Sequence, residues 1–451
     1  MKMKSNVSLV YGIKDKPRFG QVVLFAIQQL LAIMAATIAV PSVINSLCGS
    51  EMTASAALFG AGLGSIVYLL FTKSNSPVFL GSSFAFIGSM VTAFAGAASL
   101  AVGYAGLVIG AAMAGLVYVV IAIIVKFCGV KWIDKLMPPV VIGPIVAIIG
   151  LSLAGNAIGD LMSSSVAGGS TYVALICGLV TLAVTMLCST YGKKMAKLIP
   201  FIIGILAGYA VASVFALIGK LTGNAALTVI NYGALLDMKG FVALPQFTFL
   251  KGDWSGVNGA YLLTLFVAYA PVAFVVFAEH LADHKNLSSI IGQDLLENPG
   301  LTRTLLGDGI GSMIGAFFGG CPNTTYGESI ACVAITRNAS TVSIWGAAFA
   351  CILFSLITPL VCFLETIPSC VMGGVCVALY GFIASSGFKM FQKVDLNDNC
   401  NLFTACVIFI VGVGGMTLQF GQVEIRTVAC ALILGILTNV MLSKSQKKAE
   451  D

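Results

Sequence analysis

Apolar positions fill long continuous runs along this chain, broken only by short polar or Gly/Pro-containing stretches. Runs such as 116–125 lack the apolar/polar alternation of membrane β-barrel strands and read as helices apolar on every side. A helix needs about 20 mostly apolar residues to cross a bilayer. Setting the runs against their breakers predicts spans at 20–46, 52–72, 78–97, 101–127, 137–157, 170–189, 198–219, 258–284, 301–319, 322–337, 341–364, 368–388, 400–419 and 425–443. The third and tenth differ from the rest. Each is short, has a Pro at its start (Pro77 and Pro322) and passes through small or polar residues before turning apolar. These two are expected to be interrupted helices.

Composition sharpens this reading. With 58% hydrophobic and 9% charged among 451 residues, a soluble globular protein is excluded, and no stretch is polar enough for an independent soluble domain. The fold class expected is an all-α polytopic membrane protein with fourteen transmembrane segments. A net charge of +6 does not point to nucleic acid, because Lys and Arg are scattered between apolar runs. Their placement follows topology instead. With fourteen spans, all of the 24 basic residues except Lys220, Lys239, Lys251 and Arg426 fall on one side, including Lys2, Lys4, Lys131, Lys135, Lys194 and Lys393. By the positive-inside rule that side is cytoplasmic and carries both termini, with the inner cell membrane as the expected location. The 13 Cys form no CxxC pair and read as small membrane-embedded residues. The polar segment 1–18 leads into a long span with no evident cleavage site, so a cleaved signal peptide is not expected.

The chain also repeats itself. Met137-Pro-Pro-Val-Val-Ile-Gly143 opens the fifth span as Ile367-Pro-Ser-Cys-Val-Met-Gly373 opens the twelfth, and the interrupted spans are each third in their half. Seven spans per half is an odd number, so the halves enter the membrane from opposite sides. This is the 7+7 inverted repeat of many secondary transporters. The stretch 220–257 then forms an external connection without a folded domain of its own.

Ionisable residues at membrane depth cost about 2.5–3.5 kcal/mol each on insertion scales, so the few present are informative. The eighth span ends Ala278-Glu279-His280-Leu-Ala-Asp283-His284-Lys285. Glu279 and Asp283 share one helical stripe, and His280 and His284 the next. His284 and Lys285 also fit a solvated helix end, whereas Glu279 lies a turn deeper. In the tenth span, Pro322-Asn-Thr-Thr-Tyr326-Gly327-Glu328 leaves first-turn N–H groups unpaired, forming a polar cup with Glu328 at its rim. The third span supplies Gly81, Ser82, Ser83, Phe84 and Phe86. Two such half-helix starts meeting near the midplane would suit a small, flat, polar molecule, with Phe84 or Phe86 stacking on a ring or packing in the core. Asp308 fits a helix-packing or backbone-binding role. No Walker A, helical zinc or haem signature occurs, and no metal or cofactor is expected.

At these segments the chain resembles the nucleobase/ascorbate transporter family, and within it the uracil-transporting bacterial branch. The stretches that carry the resemblance are Gln28 to Pro41, Gly81-Ser-Ser-Phe-Ala-Phe-Ile87, Ala278-Glu-His280, Pro322-Asn-Thr-Thr-Tyr-Gly-Glu328 and Ala334-Ile-Thr-Arg337. The resemblance implies a proton-coupled importer of uracil or a related nucleobase, built from a core and a gate. The core would comprise 1–127 and 258–364, and the gate 128–219 and 365–451. A homodimer is one assembly that the family uses. By similarity Glu279 and Glu328 are the substrate-binding carboxylates, Phe84 the stacking aromatic, and Tyr326 and Gly327 the backbone beside the base, with Ser83 adjoining. Two departures stand out. Ser329 occupies a position where Asn commonly follows the motif Glu. Asp283 stands where some members carry His, which makes Asp283, with His284 beside it, the expected partner of Glu279 in proton coupling.

Two rival readings are compatible with parts of this pattern. A xanthine, urate or other purine permease of the same fold is disfavoured by Glu328, where such members tend to carry Gln. A membrane-embedded acid/base enzyme using Glu279, Asp283 and His284 lacks the paired acidic motif that a metal diphosphate would require.

Overall fold

The structure, a computed structural model, describes residues 9–450 apart from 130–131, 133–136, 194, 239, 393 and 421–422. Lys2, Lys4, Lys131, Lys135, Lys194, Lys239 and Lys393 of the charge pattern lie outside the described residues. The chain begins with α1 (Phe19–Cys48) and α2 (Ala54–Phe71), then a short strand β1 (Leu80–Ser82) that leads into α3 (Ile87–Ala95). Next come α4 (Leu100–Cys128), α5 (Pro139–Ser152), α6 (Ala154–Leu161), α7 (Thr171–Tyr191) and α8 (Pro200–Thr222). The second half holds α9 (Gly259–Ile291), α10 (Leu301–Gly319), strand β2 (Asn323–Thr325), α11 (Gly327–Thr336), α12 (Thr341–Leu356) and α13 (Thr358–Glu365). It ends with α14 (Ser369–Phe391), α15 (Asn399–Val413), the hairpin β3 (Leu418–Phe420) and β4 (Val423–Ile425), and α16 (Thr427–Glu450).

Among the described residues eight helices, with α5 and α6 taken as one run, are long and apolar enough to cross a membrane, and further apolar helices are shorter. Apolar side chains cover the outside as well as the inside. On α4, Leu116, Val120, Ile123 and Phe127 form one outward stripe and are all exposed. Such a stripe is stable only against lipid, and the protein is an integral membrane protein.

Three expectations are corrected. The fold is predominantly helical but not all-α, since β1 pairs with β2 and β3 with β4, both antiparallel. Extended backbone surrounded by apolar helices must satisfy its own N–H and C=O groups, and strand pairing does so. The eighth predicted span was bounded at 284, yet α9 runs on to Ile291 and stops at Gly292 in the left-handed conformation. Its polar residues His284 and Ser288 are buried against protein, so loss of hydropathy does not end the helix. The eleventh span is broken at Ile357, and Pro359 lies in the first turn of α13.

Small residues bring the helices together. Helix α10 packs between α2 and α4. Gly60 and Gly64 of α2 lie against Gly311, Gly315 and Gly319 of α10, whose spacing of four keeps them on one face. Helix α14 packs in the same manner on α5 and α7, with Gly387 against Gly143 and Gly374 against Gly178. Helices α1, α9 and α12 adjoin the first group, and α6, α15 and α16 the second.

Candidate functional site

The interrupted segments meet through their strands. Leu80, Gly81 and Ser82 lie opposite Thr325, Thr324 and Asn323, and Ser83 N–H donates to Pro322 O at 2.9 Å. Asn323 anchors the pair by donating from Nδ2 to Gly60 O at 3.0 Å, in a groove that a methyl group at Gly315 would close. Gly81 is required for a related reason. A Cβ there would run into the Tyr326 ring and lie 2.9 Å from Thr37 Oγ1. Tyr326 in turn donates its hydroxyl to Ser82 O at 2.6 Å. Ser329 Oγ accepts from Phe79 N–H at 3.0 Å and from Gln29 Nε2, joining α11 to α1 and to the approach of β1. The departure at Ser329 therefore acts on the scaffold beneath the cup.

A small pocket of about 50 Å³ lies over this cup and is lined by Ser83, Phe84, Glu279, Tyr326, Gly327 and Glu328, among others. The structure thus gathers the candidate binding residues around one space, although they come from three separate segments. Glu279 makes no hydrogen bond among the described residues. Glu328 lies in the first turn of α11, where its carboxylate faces its own backbone N–H. Phe84 meets Tyr380 of α14 edge-on, with ring centres 5.6 Å apart. Phe86 is buried at 1% exposure and stacks on Tyr269, so of the two aromatics only Phe84 reaches this pocket. Glu279, Gly327 and Glu328 also border a second cavity of about 420 Å³, which extends past Asp283 to Lys197 and Lys389.

Asp283, His280 and His284 are each held by a fixed partner. Asp283 Oδ2 accepts from Thr325 Oγ1 at 2.8 Å, so its partner is β2 and not Glu279. His280 Nδ1 lies 2.8 Å from Asp308 Oδ2, and its Nε2 lies 3.0 Å from Thr304 Oγ1. Thr304 donates to Leu301 O, which leaves its oxygen to accept from His280 Nε2–H. His284 is not at a solvated helix end. It is completely buried, and its Nδ1 reaches His280 O at 2.8 Å. A carbonyl only accepts, so Nδ1 carries the hydrogen and Nε2 of the neutral ring accepts from Tyr68 Oη at 2.6 Å. Tyr68 also shares a 2.8 Å hydrogen bond with Ser76. His284 lines neither the pocket over the cup nor the larger cavity beside it, because the burial that extends α9 also encloses it. Lys285 is exposed. Thr325, Thr304 and Tyr68 were not singled out from the sequence. Isolated hydroxyls in apolar segments have no spacing that marks them.

Comparison with known proteins gives the family. The model of a family described as the Permease family (Xan_ur_permease) matches residues 20–421, and the chain belongs to that family. It is a transporter of the membrane, not an enzyme. Over 445 residues it is 38% identical to the uracil permease of Bacillus caldolyticus, covering 98% of this chain and 96% of that one. It is 36% identical to the uracil permease of Escherichia coli (strain K12), covering 94% and 92%. Among solved structures it is similar to the transmembrane domain of the cyanobacterial bicarbonate transporter BicA, with a TM-score of 0.61, 17% identity, and 95% and 99% of the two chains covered. It is also similar to the murine anion transporter Slc26a9 in the inward-facing state, with a TM-score of 0.65, 13% identity, and 96% and 69% covered. At these identities the likeness is one of fold.

Proposed function

We propose that this permease imports uracil, or a closely related nucleobase, across the inner cell membrane by proton symport with alternating access. The observation that carries the reading is the convergence of Glu279 from α9 and Glu328 from α11 on the pocket bordered by Phe84. Uracil is neutral and planar and presents alternating carbonyl and N–H groups. An ionised carboxylate accepts from N–H, and a protonated one also donates to a carbonyl. Two such groups beside the backbone of Tyr326 and Gly327 complement that edge pattern, while Phe84 offers a ring face. The names of the two relatives support the same substrate.

Glu328, at a helix start, is assigned chiefly to recognition. Glu279 sits on a continuous helix, faces both cavities and lacks a fixed partner among the described residues. It is the group assigned to take up a proton with the base and release it on the other side. Asp283, held by Thr325 at the edge of the larger cavity, is the next carboxyl along the way out.

Fourteen spans in a 7+7 inverted repeat account for the path. The antiparallel pairing of β1 with β2 is what two inverted copies of one segment would form. The packing of α1–α4 with α9–α12, and of α5–α8 with α14–α16, supports a core that moves against a gate. The cavity from Glu279 to Lys197 and Lys389 leads to the side that basic residues assign to the cytoplasm, so the conformation is inward-open. The reading is tested by uptake of labelled uracil, xanthine and uric acid into cells expressing the chain. Uracil should accumulate, with loss on adding a protonophore and retention when choline replaces sodium. Accumulation of xanthine or uric acid in its place would overturn the substrate, and sodium dependence would overturn the coupling.

A further inference from the structure

The cavity of about 420 Å³ is much larger than the pocket of about 50 Å³ that it adjoins, and its charge is distributed unevenly. Where the two are continuous, the lining carries Glu279 and Glu328, with Asp283 close by. Away from the shared part, the same cavity is bordered by Lys197 and Lys389. These ammonium groups come from different parts of the fold. Lys197 lies in the short helical turn Met195–Leu198 that precedes α8, and Lys389 in the last turn of α14. Both are exposed, and among the described residues neither has a carboxylate within 4.0 Å. The hydroxyls of Ser189, Ser385 and Ser386 border the same space. Positive-inside bias explains why lysines lie on this side of the membrane. It does not explain why two unpaired ones face a single concave surface that ends in carboxylates.

A free pyrimidine base uses only the acidic end. A ligand that complements the whole cavity carries N–H donors at one end and an anion at the other, separated by a polar spacer. Cavities of about 300–1,000 Å³ hold molecules of that larger size. Phosphate is the anion suited to two ammonium groups and nearby hydroxyls, through charge-assisted hydrogen bonds. Resting on the reading of the site as a pyrimidine site, we infer that the cytoplasmic vestibule binds a pyrimidine nucleoside 5′-monophosphate. The base lies toward Glu279 and Glu328 and the phosphate lies between Lys197 and Lys389. Such a ligand is the imported base after a phosphoribosyl diphosphate transfers its phosphoribosyl group to the ring nitrogen, with release of diphosphate and of the ring N–H proton. By occupying the inward-open cavity it blocks the return of the carrier, so the product of base consumption slows further entry.

The test uses the purified full chain in detergent, with displacement of labelled uracil by uridine 5′-monophosphate, uridine and inorganic phosphate. The monophosphate should displace uracil at a concentration at least tenfold below that needed for uridine, and phosphate alone should not compete. The double variant Lys197→Ala/Lys389→Ala should lose that advantage while binding uracil as before, and the arginine pair should keep it. If the double variant does not fold, Lys389→Gln alone should shrink the advantage. Raising salt to roughly 0.5 M should weaken the monophosphate and leave uracil unchanged, because only the anion contact is screened. Equal displacement by uridine and its monophosphate, or an advantage that survives loss of both lysines, would overturn the inference. If uracil itself does not bind, calorimetry with the monophosphate separates the two readings. Lysine-dependent heat would retain the vestibule site and reject uracil as substrate, whereas no heat would reject both.

Discussion

Helix α9 carries two polar clusters one residue apart, and they differ in what their hydrogen bonds leave free. Glu279 and Asp283 point to open space, and Glu279 has no hydrogen-bond partner among the described residues. His280 and His284 point into packed protein and are engaged at every ring nitrogen by Asp308, Thr304, Tyr68 and a backbone carbonyl. Both clusters place polar groups where water is scarce. The engaged one fastens α9 to α10 and α2, and a group so held cannot change partner without leaving another buried group unsatisfied. The cavity-facing one can exchange a partner for substrate or proton at little structural cost. Ionisable residues of α9 thus divide by hydrogen-bond saturation, and the proposed transport role is assigned to the unsaturated stripe.

The largest effect that would sharpen this contrast is expected in the engaged cluster. Asp308→Ala leaves His280 Nδ1 buried without its partner and should destabilise the fold by about 3 kcal/mol, seen as a much lower melting midpoint. Asp308→Asn keeps a side-chain hydrogen-bonding group opposite Nδ1 and should cost clearly less. An alanine variant that melts with the parent would remove the clasp from the account. Next, Gly81→Ala drives a methyl group into the Tyr326 ring. The overpacking should cost about 1–3 kcal/mol and weaken uracil binding together with stability. Unchanged binding would show that the cup tolerates displacement of Tyr326.

On the same cavity but from α11, Glu328→Gln turns one acceptor oxygen into a donor that, on the proposed reading, would meet an N–H of the base. Equilibrium binding by calorimetry should fall by more than about tenfold, or 1.4 kcal/mol, with the melting midpoint retained. The smallest effect expected is that of Tyr68→Phe, which removes the donor to His284 Nε2. It should lower stability by about 1 kcal/mol and leave uracil affinity untouched. A loss of affinity in that variant would join the two clusters that the structure separates.

Much of this division was legible in the sequence. Continuous apolar runs gave the helices, and Pro77 and Pro322 marked the two segments whose backbone leaves helical geometry. The spacing of Glu279 with Asp283 and of His280 with His284 put carboxylates and imidazoles on separate stripes. Which stripe faced open space was not legible, because it depends on Asp308, Thr304 and Tyr68, which reach α9 from segments distant in the chain. For the same reason His284 resembled a solvated end. Hydropathy falls there, but Tyr68 and the carbonyl of His280 supply the partners that water would otherwise provide. The strand pair was missed because three extended residues in each of two apolar segments leave no periodicity to read.

The central claim, that Glu279 carries the proton while Glu328 recognises the base, is tested most directly with Glu279→Gln in proteoliposomes under an imposed pH gradient, alongside calorimetric binding of uracil. The amide stands in for the protonated carboxyl, so the variant should bind uracil yet fail to concentrate it against its gradient. If Glu279→Gln still accumulates uracil when driven by the pH gradient, the proton travels on another group, and the assignment of Glu279 is wrong.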